Sequence, residues 1–228
     1  MLRSLVVLEL RAVTKRYGDA TVLKDVNLTI DPGEMVVVTG RSGSGKSTMF
    51  KLMAGLDRPS SGEVLLEGRS LADLDDAAMS RMRLERLGLV FQSVNLLPDL
   101  SVEQNVRLPL DLRGVPRAAA QARAVELLAR MGLRQHARKR PHQLSGGQAQ
   151  RVAIARALAN QPAIILADEP TGSLDRSNAE TVLEAFREVN ASGTTVLIVS
   201  HDPLVIQQIP ARLKIEDGQA RWESRDAS

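Results

Sequence analysis

Short apolar runs alternate along this chain with segments whose apolar residues recur every three or four positions, so strands and helices are interleaved. Leu8–Val13 and Thr21–Ile30 predict two β segments around a turn at Tyr17-Gly18-Asp19, with Val22, Val26, Leu28 and Ile30 alternating in the second. The turn signal Asp31-Pro32-Gly33 leads into Met35–Thr39, a strand apolar enough to be parallel and covered on both faces. Met49, Leu52, Met53 and Leu56 then fall at helical spacing after Gly45, and Gly55 with the Asp57–Gly62 cluster stops that helix. Short strands at Val64–Leu66 and Leu89–Phe91 bracket a polar helix near Leu74–Glu85. From about Leu96 to Ala159 the pattern is helical, punctuated by Pro98, Pro109, Pro116 and Pro141. Strand signals return at Ile164–Ala167 and Thr195–Val199, separated by a helix from about Asn178 to Val189. The expected architecture is a split α/β core, with strands at both ends of the chain and a helical insert between them. The tail Ser224–Ser228 is expected to fray.

Composition narrows this picture. With 228 residues there is enough chain for one well-buried domain, and an aromatic share of 2% leaves Leu, Val, Ile, Ala and Met to build the core. That favours helices packed on a sheet over an aromatic-rich sandwich. The absence of cysteine excludes disulfides, thiol catalysis and thiolate metal sites, and fits a reducing cytoplasm. A net charge of +3 with scattered basic residues argues against nucleic acid as a partner. No apolar run approaches the ~20 residues of a membrane span, and residues 1–8 are too brief for a signal peptide. Any membrane role is expected to come through a partner.

Gly40-Arg41-Ser42-Gly43-Ser44-Gly45-Lys46-Ser47 fits the phosphate-loop pattern G-x-x-x-x-G-K-[ST], with an apolar strand before it and an amphipathic helix after it. Glycines let successive backbone N–H groups converge on phosphate oxygens at the positive end of a helix. Lys46 is placed to reach the β- and γ-phosphates, and Ser47 to offer its hydroxyl to Mg²⁺. The run Ile164–Ala167 ends in Asp168-Glu169, which supplies one carboxylate to a metal ion and another to an attacking water. Ser145-Gly146-Gly147, ahead of a helix with Val152, Ile154, Ala155 and Leu158, reads either as a capped helix start or as a second anion-binding one. Two phosphate-seeking helix starts feeding one nucleotide would be odd.

In these residues the chain resembles the ATP-binding-cassette ATPases over nearly its whole length. Lys46 lies in a Walker A loop, Asp168 in a Walker B strand, and Leu144-Ser145-Gly146-Gly147-Gln148 matches the signature motif without departure. Gln92 matches the Q-loop, Ser173-Leu174-Asp175 the D-loop and His201 the switch histidine, while Tyr17 sits where the family stacks an aromatic on adenine. The resemblance implies a phosphate-loop core of mixed sheet flanked by helices, with an antiparallel β subdomain, spanning about 1–92 and 160–228. It places a helical subdomain at about 93–159. It implies a head-to-tail homodimer that sandwiches ATP and Mg²⁺. In one copy Tyr17, Val22, Gly40, Ser42, Gly43, Ser44, Gly45, Lys46, Ser47 and Thr48 would hold the nucleotide. Ser145, Gly146, Gly147, Gln148 and Asp175 would close over it from the other. Glu169, His201 and Gln92 are the implied catalytic set, and Ser47, Gln92 and Asp168 the implied Mg²⁺ ligands.

Val90–Pro98, Ser101–Val106 and Ala167–Asp175 further resemble the macrolide-exporter, lipoprotein-releasing and division-associated group. Members of that group work with a separate or fused membrane subunit; the expectation for this chain is a separate integral membrane permease and a peripheral position on the cytoplasmic face of the membrane. A regulatory ATPase controlling cell-wall hydrolysis without transport is the alternative within the group. Arg140-Pro141-His142-Gln143 lacks the loop of fused drug exporters, and the short stretch after His201 is expected to leave no room for a regulatory domain.

Overall fold

The computed structural model describes residues 6–225. Two sheets form. In the first, β1 (Leu8–Tyr17) pairs antiparallel with β2 (Ala20–Ile30) and with β4 (Ser61–Leu66), and β5 (Arg69–Ser70) extends it in the order β2-β1-β4-β5. The second is built from β3 (Met35–Thr39), β6 (Leu87–Phe91), β7 (Ile164–Asp168), β8 (Thr195–Val199), β9 (Ala211–Glu216) and β10 (Gln219–Ser224), in the order β10-β9-β3-β8-β7-β6. Its pairings are parallel except at β10, which runs antiparallel along the β9 edge.

The all-apolar strands sit in the middle layer because each of their faces has a core to bury against. Val36 and Val38 of β3, with Ile164, Leu166, Leu197 and Val199, pack toward the antiparallel sheet and helix α1 (Lys46–Met53), where Met49, Phe50 and Met53 are buried. Val37, Ile165, Ala167, Val196 and Ile198 point the other way, toward α5 (Gly146–Ala157) and α6 (Arg176–Ala191). The period of two along a strand therefore assigns alternate residues of one run to two separate cores. The second core continues into α3 (Val102–Leu112) and α4 (Arg117–Arg130), whose Val106, Leu127 and Leu128 are fully buried. The remaining helices are α2 (Asp76–Arg86) and α7 (Pro203–Gln208).

Several expectations are corrected. Helix α1 ends at Met53, and Leu56 lies beyond it, 48% exposed, because Gly55 leaves helical space at φ 60. The helical stretch breaks into α3, α4 and α5, with 3₁₀ turns at Arg134–His136 and Pro141–Gln143. Strands β9 and β10 and helix α7 fall where no element is expected. Ser224 closes β10, and Arg225 bonds Asp31 and Glu34 at 2.8 Å each, so the expected fraying does not begin at 224. Residues 226–228 lie outside the described residues, as do 1–5 of the leader reading.

Phe186 is fully buried on α6 against the sheet. Phe186→Ala is expected to cost about 3–5 kcal/mol by leaving a cavity, measured as a lower urea midpoint at unchanged slope.

Candidate functional site

The parallel register sets the site. Phe91, Asp168, Val199 and Val38 pair in line across β6, β7, β8 and β3. The loops leaving those strands therefore open side by side at one edge of the sheet, the usual ligand edge of an open α/β sheet. The loop after β3 bends sharply. Gly40 has φ 148, and a Cβ there would stand 2.4 Å from the Ile215 carbonyl oxygen of β9. Gly45 has φ 106, and its Cβ would stand 2.9 Å from Leu23 of β2. Only glycine fits at either position.

Helix α1 starts immediately after Gly45 with no side chain capping it, so its first N–H groups face the loop without a partner side chain. Lys46 Nζ donates to the carbonyls of Gly40 (2.7 Å) and Arg41 (2.9 Å), curling back over the loop. A cleft of about 610 Å³ lies against this loop. Ser42, Gly43, Ser47, Thr48 and Val22 line one side of it, and Asp168, Glu169 and His201 the other. Ser44 lies behind the loop. Its buried Oγ has no hydrogen-bond partner among the described residues.

The acidic side is the strained one. Glu169 adopts φ 47, a left-handed backbone that costs a side-chain-bearing residue roughly 1–2 kcal/mol. Its carboxylate accepts from His201 Nδ1 at 2.7 Å, and more weakly from the Ser200 hydroxyl (3.3 Å) and the His201 N–H (3.4 Å). With Nδ1 donating, Nε2 is left facing outward on a ring 74% exposed. Burial, and then the Glu169 charge, push the Asp168 carboxyl above its ordinary range. Thr171 donates to Asp202 at 2.9 Å, and Asp202 caps α7, so the loop after β7 is tied to the loop after β8.

Other sequence candidates lie elsewhere. Gln92 is exposed and outside the cleft lining, but its amide abuts Gly172, where a Cβ would meet Nε2 at 2.9 Å. Tyr17 is also outside the lining. Its hydroxyl donates to Asp57 at 2.6 Å, and Lys15 Nζ stands 4.8 Å over its ring. Ser145 caps α5 in a reciprocal box with Gln148, at 3.1 and 3.3 Å. None of Ser145, Gly146, Gly147 and Gln148 lines the cleft. The two glycines admit the start of α6: a Cβ on Gly147 would stand 2.3 Å from Asn178 Oδ1, and one on Gly146 3.0 Å from Leu174. Asp175 caps α6 by accepting from Asn178 twice (2.9 and 2.7 Å), which holds its carboxyl below the ordinary range. Asp175 and the signature residues thus share one surface, apart from the cleft. Sequence reasoning missed Arg41, Val199 and Ser200. Only Ser200, polar and directly after an apolar strand, carried a visible signal.

A carboxylate whose folded-state pKa is raised contributes stability below the carboxylate range and loses it as pH rises through that pKa. Asp168→Asn in metal-free buffer is therefore expected to raise the melting temperature at pH 7.5, with the gain vanishing near pH 3. An equal gain at both pH values would contradict the electrostatic origin.

The ABC transporter family model matches residues 23–172. The chain is 48% identical over 222 residues to the macrolide export ATP-binding/permease protein MacB of Rhodopseudomonas palustris (strain BisB18), and 45% identical over 217 residues to that of Pectobacterium atrosepticum. Those matches cover 96% and 93% of this chain, which spans about a third of each relative (34% and 33%). A solved dimeric bacterial ABC transporter cassette superposes with a TM-score of 0.87 at 42% identity, covering 97% of this chain and all of that one. A post-hydrolysis dimeric cassette bound to ADP and phosphate superposes with a TM-score of 0.85 at 41% identity, with the same coverage. The chain belongs to the ABC transporter family, as one of its ATPase cassettes.

Proposed function

We propose that this chain binds ATP with Mg²⁺ in the cleft, hydrolyses it as half of a head-to-tail homodimer, and drives an integral membrane permease with the closure. The observation that carries this reading is the separation of its two phosphate-type helix starts. Lys46, Asp168, Glu169 and His201 meet at one cleft, whereas Ser145–Gly147 open α5 on a different surface. A second copy, turned head to tail, brings its α5 start to the first copy's cleft, and the reverse.

The cleft suits a polyphosphate and its cation. The N–H groups of α1 are uncapped, and Asp168 is a carboxylate held uncomfortably beside Glu169. No group of three or more His, Cys, Asp or Glu capable of holding a metal occurs among the described residues. Mg²⁺ needs only one or two protein ligands and completes its shell with phosphate and water. Ser47 and Asp168 would hold it, with Gln92 alongside, and it would neutralise charge on the β- and γ-phosphates.

Lys46 exchanges its two loop carbonyls for phosphate oxygens. Glu169 accepts the proton of the attacking water or orients it, and the His201 Nδ1–H keeps that carboxylate in place. His201 Nε2 then faces the γ-phosphate, to which it donates when both ring nitrogens carry protons. Ser145, whose Oγ accepts from the Gln148 N–H, retains its own proton to donate to the other copy's nucleotide. Tyr17 provides the adenine platform and Asp175 approaches across the dimer seam. The helices of about 93–159 form the subdomain that carries the signature surface, and the remainder forms the nucleotide-binding core.

Among the described residues no helix is long and apolar enough to cross a membrane. In this reading the chain acts at the cytoplasmic face, peripherally, through the permease. The MacB relatives, named as ATP-binding and permease protein in one, make a permease of that kind the fitting partner.

Glu169→Gln should bind ATP, run as a stable dimer in light-scattering chromatography, and lose on the order of a hundredfold or more in turnover. A monomer at saturating ATP and Mg²⁺ would contradict the sandwich. Lys46→Ala should lose ATP binding by calorimetry, and a normal ATPase rate from it would refute the phosphate-loop assignment.

A further inference from the structure

Between β6 and α3 the backbone from Gln92 to Ser101 forms no regular ladder, yet it is fastened at several points by side chains. Gln150, 1% exposed, donates Nε2 to the Phe91 carbonyl at 3.1 Å. Arg156 donates Nη1 to the Asn95 carbonyl at 2.7 Å and Nη2 to the Val94 carbonyl at 3.1 Å. Asn95 adopts φ 49, and the turn it makes leaves both carbonyls on one guanidinium fork. At the far end, Asn105 is fully buried, accepts from the Leu97 N–H at 2.8 Å and donates to the carbonyls of Leu97, Leu100 and Ser101.

Gln150 and Arg156 both project from α5, the helix that Ser145 caps. Arg156 stands about 15 Å along that helix from its first residue, at 1.5 Å per residue. Burial lowers its pKa with no carboxylate acting to raise it. A well-packed apolar side chain often serves stability as well as a partly buried charge does, so the distinctive contribution of the fork is geometric. What it does provide is a fixed relation between α5 and two consecutive carbonyls two and three residues beyond Gln92.

We infer that Gln150 and Arg156 are positioning residues for Gln92: they make the Gln92 loop and the signature helix one rigid piece. When a second copy's nucleotide engages Ser145, the shift at α5 passes to Val94 and Asn95 through the Arg156 fork, while Gln150 holds the strand end at Phe91 as the pivot, and Gln92 seats beside Asp168. The signature end of the chain and its own Mg²⁺ site are then coupled without contact between them. This rests on the proposed role of Gln92.

The test is a double-mutant cycle on the full chain, with Arg156→Lys and Gln92→Ala separately and together, and Gln150→Leu as a second probe of the fastening. Arg156→Lys keeps the charge and loses the fork. It is expected to lower kcat roughly tenfold to a hundredfold through misplacement. It should raise the Mg²⁺ concentration for half-maximal rate, and leave the KM for ATP and the ATP-trapped dimer of the Glu169→Gln background unchanged. In the Gln92→Ala background it should cost less than about twofold more, since the two act as a unit. Independent, multiplicative losses would overturn the inference, as would a fall in dimer trapping that tracks lost thermal stability. Amide exchange across 92–97 separates the two layers. Unchanged exchange in both Arg156→Lys and Gln150→Leu overturns the fastening itself. Faster exchange with a fully active Gln92→Ala retains the fastening and removes the role of Gln92 on which the coupling depends.

Discussion

Parallel pairing of β3, β8, β7 and β6 brings Val38, Val199, Asp168 and Phe91 to one line, and the polar side of the cleft hangs from the residue or two beyond it. The strands can end level only because their interiors are buried on both faces, with alternate residues given to two cores. That burial leaves polar groups nowhere to go except the strand ends. Gly40 completes the arrangement: the loop passes so close under the Ile215 carbonyl that no side chain fits, and α1 opens directly after the loop with no side chain capping its first N–H groups.

Stability is given up locally at that edge. Two adjacent carboxylates stand at the end of β7, the first half-buried with its pKa raised, the second in left-handed backbone. Neither arrangement helps the fold, and both suit a site that a cation and a polyphosphate complete. The cost is contained by tying the two loops together, through Glu169 to His201 and Thr171 to Asp202. The same economy of contact recurs on α5, where a polar strap replaces apolar packing in order to fix a loop.

Much of this was legible in the chain itself. Met35–Thr39, Ile164–Ala167 and Thr195–Val199 read as buried strands because uninterrupted apolar runs have few alternatives, and all three stand in the parallel sheet. The phosphate loop and Asp168-Glu169 were found from spacing, and the structure brings them together with His201. The β9–β10 hairpin was legible but missed: Ala211, Leu213 and Ile215 alternate strictly with Arg212, Lys214 and Glu216, and Asp217-Gly218 is a hairpin turn. Leu56 kept helical spacing but not helical backbone, since a glycine one residue earlier decides the end of α1. Nothing in the sequence marks Gln150 and Arg156 themselves as internal, and Asn105 stands out only as part of Ser101–Val106. A polar residue in a helix reads as surface until the partner loop is known, and only the flanking buried Val152–Ala155 hinted that this face of α5 was internal.

The account stands on the claim that one chain holds two halves of different sites. Mixing Lys46→Ala with Ser145→Arg tests it most directly, since each variant alone has no intact composite site. Their heterodimer pairs the sound phosphate loop of one with the sound signature of the other. The account predicts that ATPase activity, absent from either variant alone, returns on mixing. Heterodimers that form and remain inactive, or full activity in Ser145→Arg by itself, would contradict it.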